Sequence, residues 1–195
     1  LILYAEHSFN VSTFTARTIT SSLSDIHGAI TGAIASLKGP LHGGANEEVM
    51  HMMKKIKKPE NAFKWINKAL DKKEVVMGFG HRVYKKGDSR VPTMEKYFKK
   101  VAKIKADKKF IKIYDIVKNV MIDKKNIHPN VDYPTGPTYH LMGFDTDFFT
   151  PIFVMSRITG WSAHIMEQHA ANKLIRPLSK YSGADHRKVM LLNQR

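Results

Sequence analysis

The stretch Gly39-Pro40-Leu41-His42-Gly43-Gly44-Ala45-Asn46 decides how the rest of the chain is read. Gly39-Pro40 closes one helical pattern, and a second opens near Asn46, where Glu47 and Glu48 suit the positive end of a helix. Between them stands a histidine flanked by glycines, whose missing side chains let a ligand approach closely. The positive helix end disfavours imidazolium, so His42 is expected to be neutral and able to donate a hydrogen bond. A tight turn with an incidental histidine is the plainer reading of the same residues.

Working outward, residues 13–37 carry Leu23, Ile26, Ile30, Ile34 and Leu37 at helical spacing, with Gly28, Ala29, Gly32 and Ala33 open to a close helical neighbour. Downstream, Pro59 opens a helix whose face holds Phe63, Ile66 and Leu70, and Glu74 to Phe79 reads as a short strand. Helices follow from Pro92 (Met94, Phe98, Val101) and around Phe110, Tyr114, Val117 and Met121. Residues 125–137, with three prolines and a glycine, read as a loop, Pro151 to Ile165 as a long apolar helix, and 171–183 as a tail. The fold class is all-α apart from that one short strand.

The 195 residues are 43% hydrophobic and 25% charged, a globular composition, with no run of ~18 apolar residues to span a membrane. Cysteine is absent, which excludes disulfides, a thiolate zinc site and a cysteine nucleophile. Asn10-Val11-Ser12 matches a glycosylation sequon that arises often by chance. Leu1-Ile2-Leu3-Tyr4-Ala5 looks like the interior of a buried element, so the chain is expected to start partway through its protein.

The net charge of +15 is placed unevenly. Residues 54–125 hold twenty-three basic and eight acidic side chains, and the remainder is balanced. A basic, helical, non-catalytic protein that binds a polyanion is one reading; a solvated lysine-rich surface is the plainer one, since aromatic stacking residues are not interleaved with the lysines. The charge break suggests a lysine-rich helical lobe set between two neutral apolar flanks.

Further signals carry chemistry. Gly78-Phe79-Gly80-His81-Arg82-Val83-Tyr84 repeats the device of a histidine after glycine, and it lacks the third glycine of a dinucleotide fingerprint. Asp132, after Pro129-Asn130-Val131, suits a general base if partly desolvated, although an Asx-turn is the commoner role there. Arginine is scarce, seven against twenty-five lysines, yet Arg90, Arg157 and Arg176 stand at or near these features. Arg157, inside an apolar helix, needs an anion, and guanidinium forks grip carboxylates better than lysine does. Two glycine-flanked histidines, an aspartate and spaced arginines suggest enolate chemistry on a carboxylate substrate. His-Glu-x-x-His, Walker and Gly-x-Ser-x-Gly motifs are absent, His164 with Glu167 makes a poor metal site, and Met50, Met52 and Met53 read as core filler. No metal is expected.

Together, His7 with Asn10 and Ser12-Thr13-Phe14, Gly39–Asn46, Gly78–Tyr84, Asp88 with Arg90, Pro129–Asp132, Phe149 to His164 and Arg176-Pro177 resemble citrate synthases in order and spacing. Tyr133–Pro137, Leu141–Thr146 and Gly160–Gln168 look most like the 2-methylcitrate synthase branch.

The resemblance implies a helical citrate synthase-like fold, with a small domain over 44–143 closing on large-domain parts at 1–43 and 144–195. It implies condensation of acetyl-CoA or propionyl-CoA with oxaloacetate, acyl-CoA serving as substrate and no cofactor being permanently bound. Asp132 would take the α-proton, His42 would stabilise the enolate, and His81 would donate to the keto oxygen. His7, Arg90, Arg157 and Arg176 would hold carboxylates, with the Arg176 position serving a second subunit, hence a homodimer. Lys85 or Lys86 would meet CoA phosphates beside Gly78 and Gly80. Neither nucleic acid nor membrane is expected as a partner, and cytoplasm and mitochondrial matrix both suit the family. Family members are about twice as long, so this chain alone is expected to expose apolar surface and to show little activity.

Overall fold

The computed structural model describes every residue except Arg82, Lys85, His186 and Arg187. The order is α1 (Ile2–Ala5), α2 (Val11–Ser21), α3 (Ile26–Leu37), α4 (Ala45–Ile56), α5 (Pro59–Asp71), α6 (Val91–Ile104), α7 (Lys109–Lys125), α8 (Asp132–Leu141) and α9 (Phe149–Ala170), followed by a tail in which the described residues form only a short 3-10 turn over Leu192–Gln194. No strand occurs among the described residues. The strand expected over Glu74–Phe79 is loop, with Phe79 making only an isolated bridge to Pro129. It lacks a neighbouring strand that could complete a ladder.

The pattern over 13–37 is two helices. Asn10 caps α2, and Asp25 caps α3 through the Gly28 amide. The chain turns between them, with Leu23 at φ +66. Leu23, Ile26 and Ile34 face outward, while Ala29 and Ala33 are fully buried, and Gly32 lets α3 close on Ile19 of α2, where a Cβ would stand 2.1 Å from Ile19 Cδ1. Phe63 is likewise exposed, and α5 packs through Ala62, Ile66 and Ala69.

The segment expected as a loop over 125–137 contains the start of α8. Pro134 falls in its first turn, where an amide proton has no helical partner anyway. The hydroxyls of Thr135 and Thr138 bond the carbonyls of Val131 and Pro134 at 2.7 and 2.6 Å. The last apolar helix is longer than expected and begins at Phe149.

Packing sorts these helices into two groups. Helices α1, α2 and α3 lie against α9, while α4 to α8 pack mainly on one another, and α4 also touches α9. The described lysines of α4 to α7 are exposed except Lys118, which is partly covered and bonds Glu95. The basic surplus therefore lies on solvated faces.

Candidate active site

Two loops are stitched together at the start of α8. The Gly80 amide donates to His128 O at 2.8 Å, and the Asn130 amide to Gly78 O at 2.9 Å. Asn130 Nδ2 donates to Gly80 O at 3.1 Å, while its Oδ1 accepts from the Asp132 amide at 3.1 Å. Asn130 is thus the Asx residue of this turn, which leaves the carboxylate of Asp132 free for other work. Gly78 and Gly80 have φ of +84 and +78, the left-handed region, and a Cβ at Gly78 would stand 2.6 Å from Val49.

Asp132 is the first residue of α8, and its Oδ1 accepts from the Tyr4 hydroxyl at 2.5 Å. Burial pushes its carboxyl up to about 6, against the Tyr4 hydrogen bond and the Arg90 charge, which pull it down.

His42 sits in a turn closed by its own amide on Gly39 O at 2.9 Å. A Cβ on Gly43 would stand 2.4 Å from Leu37 Cγ, so folding back on α3 already requires that glycine. Nε2 of His42 accepts from the Ser12 amide at 3.2 Å and lies 2.8 Å from Ser12 Oγ. A backbone N–H can only donate, so the neutral ring carries its proton on Nδ1. Ser12 Oγ in turn accepts from Trp161 Nε1 at 3.1 Å and reaches Asn10 Oδ1 at 2.8 Å. His42 is lowered to about 4, by burial first and then by the Arg157 charge. It is neutral, as the sequence suggested, although burial rather than a helix end is the main cause.

His81 stacks on Tyr84 with ring centroids 4.3 Å apart. Its Nδ1 accepts from the amides of Val83 and Tyr84 at 3.1 and 3.2 Å, which leaves the proton on Nε2. The ring of His7 lies 6.3 Å from that of His81. Both imidazoles are held below the usual histidine range, chiefly by burial.

Arg157 is 2% exposed. Its Nε donates to Tyr4 O at 2.6 Å, and its guanidinium lies 4.9 Å from the Phe153 ring centroid. Nη1 is buried without a protein acceptor, and Arg157 joins no ion pair among the described residues. Burial, then the charge of Arg90, lowers it to about 10. Arg90 forks onto Asp88 at 3.0 and 2.7 Å, and Asp88 also accepts from the Val131 amide at 3.2 Å.

Phe153 links the parts. Tyr4 packs on it at 3.8 Å and His42 approaches it at 6.4 Å between centroids. His42, His81 and Asp132 form no hydrogen bond with one another among the described contacts. The charge of Arg157 acts on His42, that of Arg90 acts on His81, and both act on Asp132.

Arg176 lies exposed in the tail, apart from this group. Lys86 is exposed beside a shallow cavity of about 370 Å³ that Gly87, Asp88, Lys118 and His128 help to line. Lys85 lies outside the described residues. Sequence reading passed over Tyr4 and the role of Trp161. Their signal was a polar atom on a large side chain in an apolar run, which needs a partner when buried. Among the described residues no three acidic or histidine side chains gather as a metal site, and no helix is long and apolar enough to cross a membrane.

Residues 1–178 match a family described as citrate synthase, C-terminal domain. The 2-methylcitrate synthase 2 of Corynebacterium glutamicum is 60% identical over all 195 residues, which cover 51% of that protein. A citrate synthase of Mycolicibacterium smegmatis is 57% identical over 97% of this chain and 51% of its own length. Among solved structures, citrate synthase from Thermotoga maritima superposes with a TM-score of 0.91 at 37% identity, over 99% of this chain and 54% of that one. The Thermoplasma acidophilum citrate synthase, in ternary complex with carboxymethyl coenzyme A and oxaloacetate, also gives 0.91 at 37% identity, over 99% and 53%. The chain spans about half the length of the curated relatives it matches.

Proposed function

The chain belongs to the citrate synthase family, and from that premise we propose that the complete protein condenses acetyl-CoA or propionyl-CoA with oxaloacetate, releasing CoA and citrate or 2-methylcitrate. The observation that carries this reading is a buried guanidinium with no anionic partner, Arg157, set among a neutral His42, a carboxyl raised toward neutrality at Asp132, and the loop of His81. A dicarboxylic acid supplies the missing anion.

Asp132 removes a proton from the α-carbon of the thioester. The Nδ1–H of His42 donates to the thioester oxygen as negative charge develops there. The α-carbon attacks the keto carbon of oxaloacetate, and the keto oxygen takes a proton from Nε2 of His81. Water then cleaves the thioester, its hydroxyl joining the acyl carbon and its proton leaving with the CoA thiolate. His7, Arg90 and Arg157 hold the carboxylates, and Arg176 reaches the site of a second copy in a homodimer. Gly78, Gly80 and the exposed Lys86 stand where CoA phosphates would be met, with Lys85 the other basic residue of that stretch. Helices α4 to α8, within 44–143, form a small domain that closes on the part built from 1–43 and 144–195. The bacterial relatives favour a cytoplasmic setting over a mitochondrial one.

The exposure of Leu1, Ile2, Phe9, Val11 and Phe14 on the α1–α2 side supports the expectation that the 195-residue chain alone has little activity. Free CoA release by the complete protein, measured with each thioester and oxaloacetate, tests the proposal. Turnover with one or both supports it, and no release with either refutes it. One methylene discriminates by only ~1–3 kcal/mol, so both thioesters are expected to react.

A further inference from the structure

Outside the reacting groups lies a chain of polar side chains that the mechanism does not use. Glu6 Oε1 is 3.2 Å from His164 Nε2, and His164 Nδ1 is 3.0 Å from Arg17 Nη1. Arg17 also donates to Gln168 Oε1 at 3.1 Å and pairs with Glu167. Its guanidinium covers the Phe9 ring at 5.2 Å, and that ring meets His164 edge-on at 5.5 Å. The side chains of Arg17 and His164 are only 14% and 15% exposed.

The order of this chain fixes its protons. Arginine can only donate, so Nδ1 of His164 accepts and Nε2 carries the hydrogen given to Glu6. Glu6 also accepts from the Ser8 amide, and Ser8 has φ +53, a conformation that non-glycine residues adopt at a cost. The backbone at Glu6 is extended, with φ −149 and ψ 145, so successive side chains point to opposite sides. Glu6 therefore faces α9 while His7 faces His81 and Tyr84. Gly160 brings α9 against this segment, since a Cβ there would stand 2.4 Å from Ala5 O.

We propose that His164, oriented by Arg17, is a positioning residue that pins Glu6 and so aims His7 at the carboxylate-bearing substrate. The proposal rests on the condensation reading above. His164 acts through Glu6 and the neighbouring His7, so its loss is expected to act on the carboxylate-bearing substrate and not on the acyl-CoA.

The test is steady-state kinetics on the complete protein with His164→Ala and His164→Gln. The first is expected to raise the KM for oxaloacetate by about tenfold while the KM for the acyl-CoA stays within about twofold. Glutamine offers one donor and one acceptor, and is expected to recover most of that loss. Two results overturn the proposal while the wild type remains active. One is an unchanged oxaloacetate KM in His164→Ala. The other is an equal rise in both KM values that tracks a fall in Tm and is not rescued by glutamine. A wild type that releases no CoA overturns the condensation reading and this proposal together.

Discussion

The hydroxyl of Tyr4 donates to Oδ1 of Asp132 at 2.5 Å, tying the short helix α1 to the first residue of α8. Arg157 holds the carbonyl of the same tyrosine, so one residue joins the buried cation to the carboxylate. The hydrogen bond favours the charged carboxylate. Tyr4→Phe removes it and leaves only the charges of Arg90 and Arg157 to oppose burial. The acid limb of kcat/KM for the acyl-CoA is expected to move to higher pH by about one unit. A pH–rate profile of the variant checks this.

In the wild type, the base works only when Asp132 is ionised. Its carboxyl is raised to about 6 by burial, so condensation is expected to rise with pH through that value. His42 is lowered to about 4 and stays neutral across the same range, adding no second limb there. An acid limb near pH 6 in kcat/KM is the expected profile.

Ser12 bridges His42 and Trp161. Ser12→Ala keeps the backbone donor to Nε2 but strands the fully buried indole N–H, at a cost of ~1–3 kcal/mol. Thermal or denaturant unfolding should show that loss. Adding Trp161→Phe removes the stranded donor, so the double variant is expected to lose less than the sum of the two single losses.

Arg157→Lys keeps the charge and loses the fork that spans Tyr4 O and the substrate side. The KM for oxaloacetate is expected to rise by about a hundredfold, with the KM for the acyl-CoA nearly unchanged. Paired titrations of the two substrates measure it.

The sequence made the helices legible where apolar spacing and proline starts agreed, as at Pro59 and Val91-Pro92. It misled at α8, where Pro134, Gly136 and Pro137 look like a loop, yet the threonine hydroxyls satisfy nearby carbonyls. Over 13–37 it was right in part: Ala29, Ala33 and Leu37 are buried as expected, while Leu23, Ile26 and Ile34 of the same stripe are exposed. His42, His81 and Asp132 stood out through their glycine and proline neighbours. Tyr4 did not, since its role comes from a contact with a residue 128 positions away. No local pattern encodes such a pairing.

The most direct measurement is CoA release by the complete protein carrying Asp132→Asn, under saturating acyl-CoA and oxaloacetate. The amide keeps the size of the side chain and cannot take the α-proton. The account predicts a fall in kcat of about a thousandfold or more with oxaloacetate binding retained. A variant that turns over within about tenfold of the wild type would contradict it.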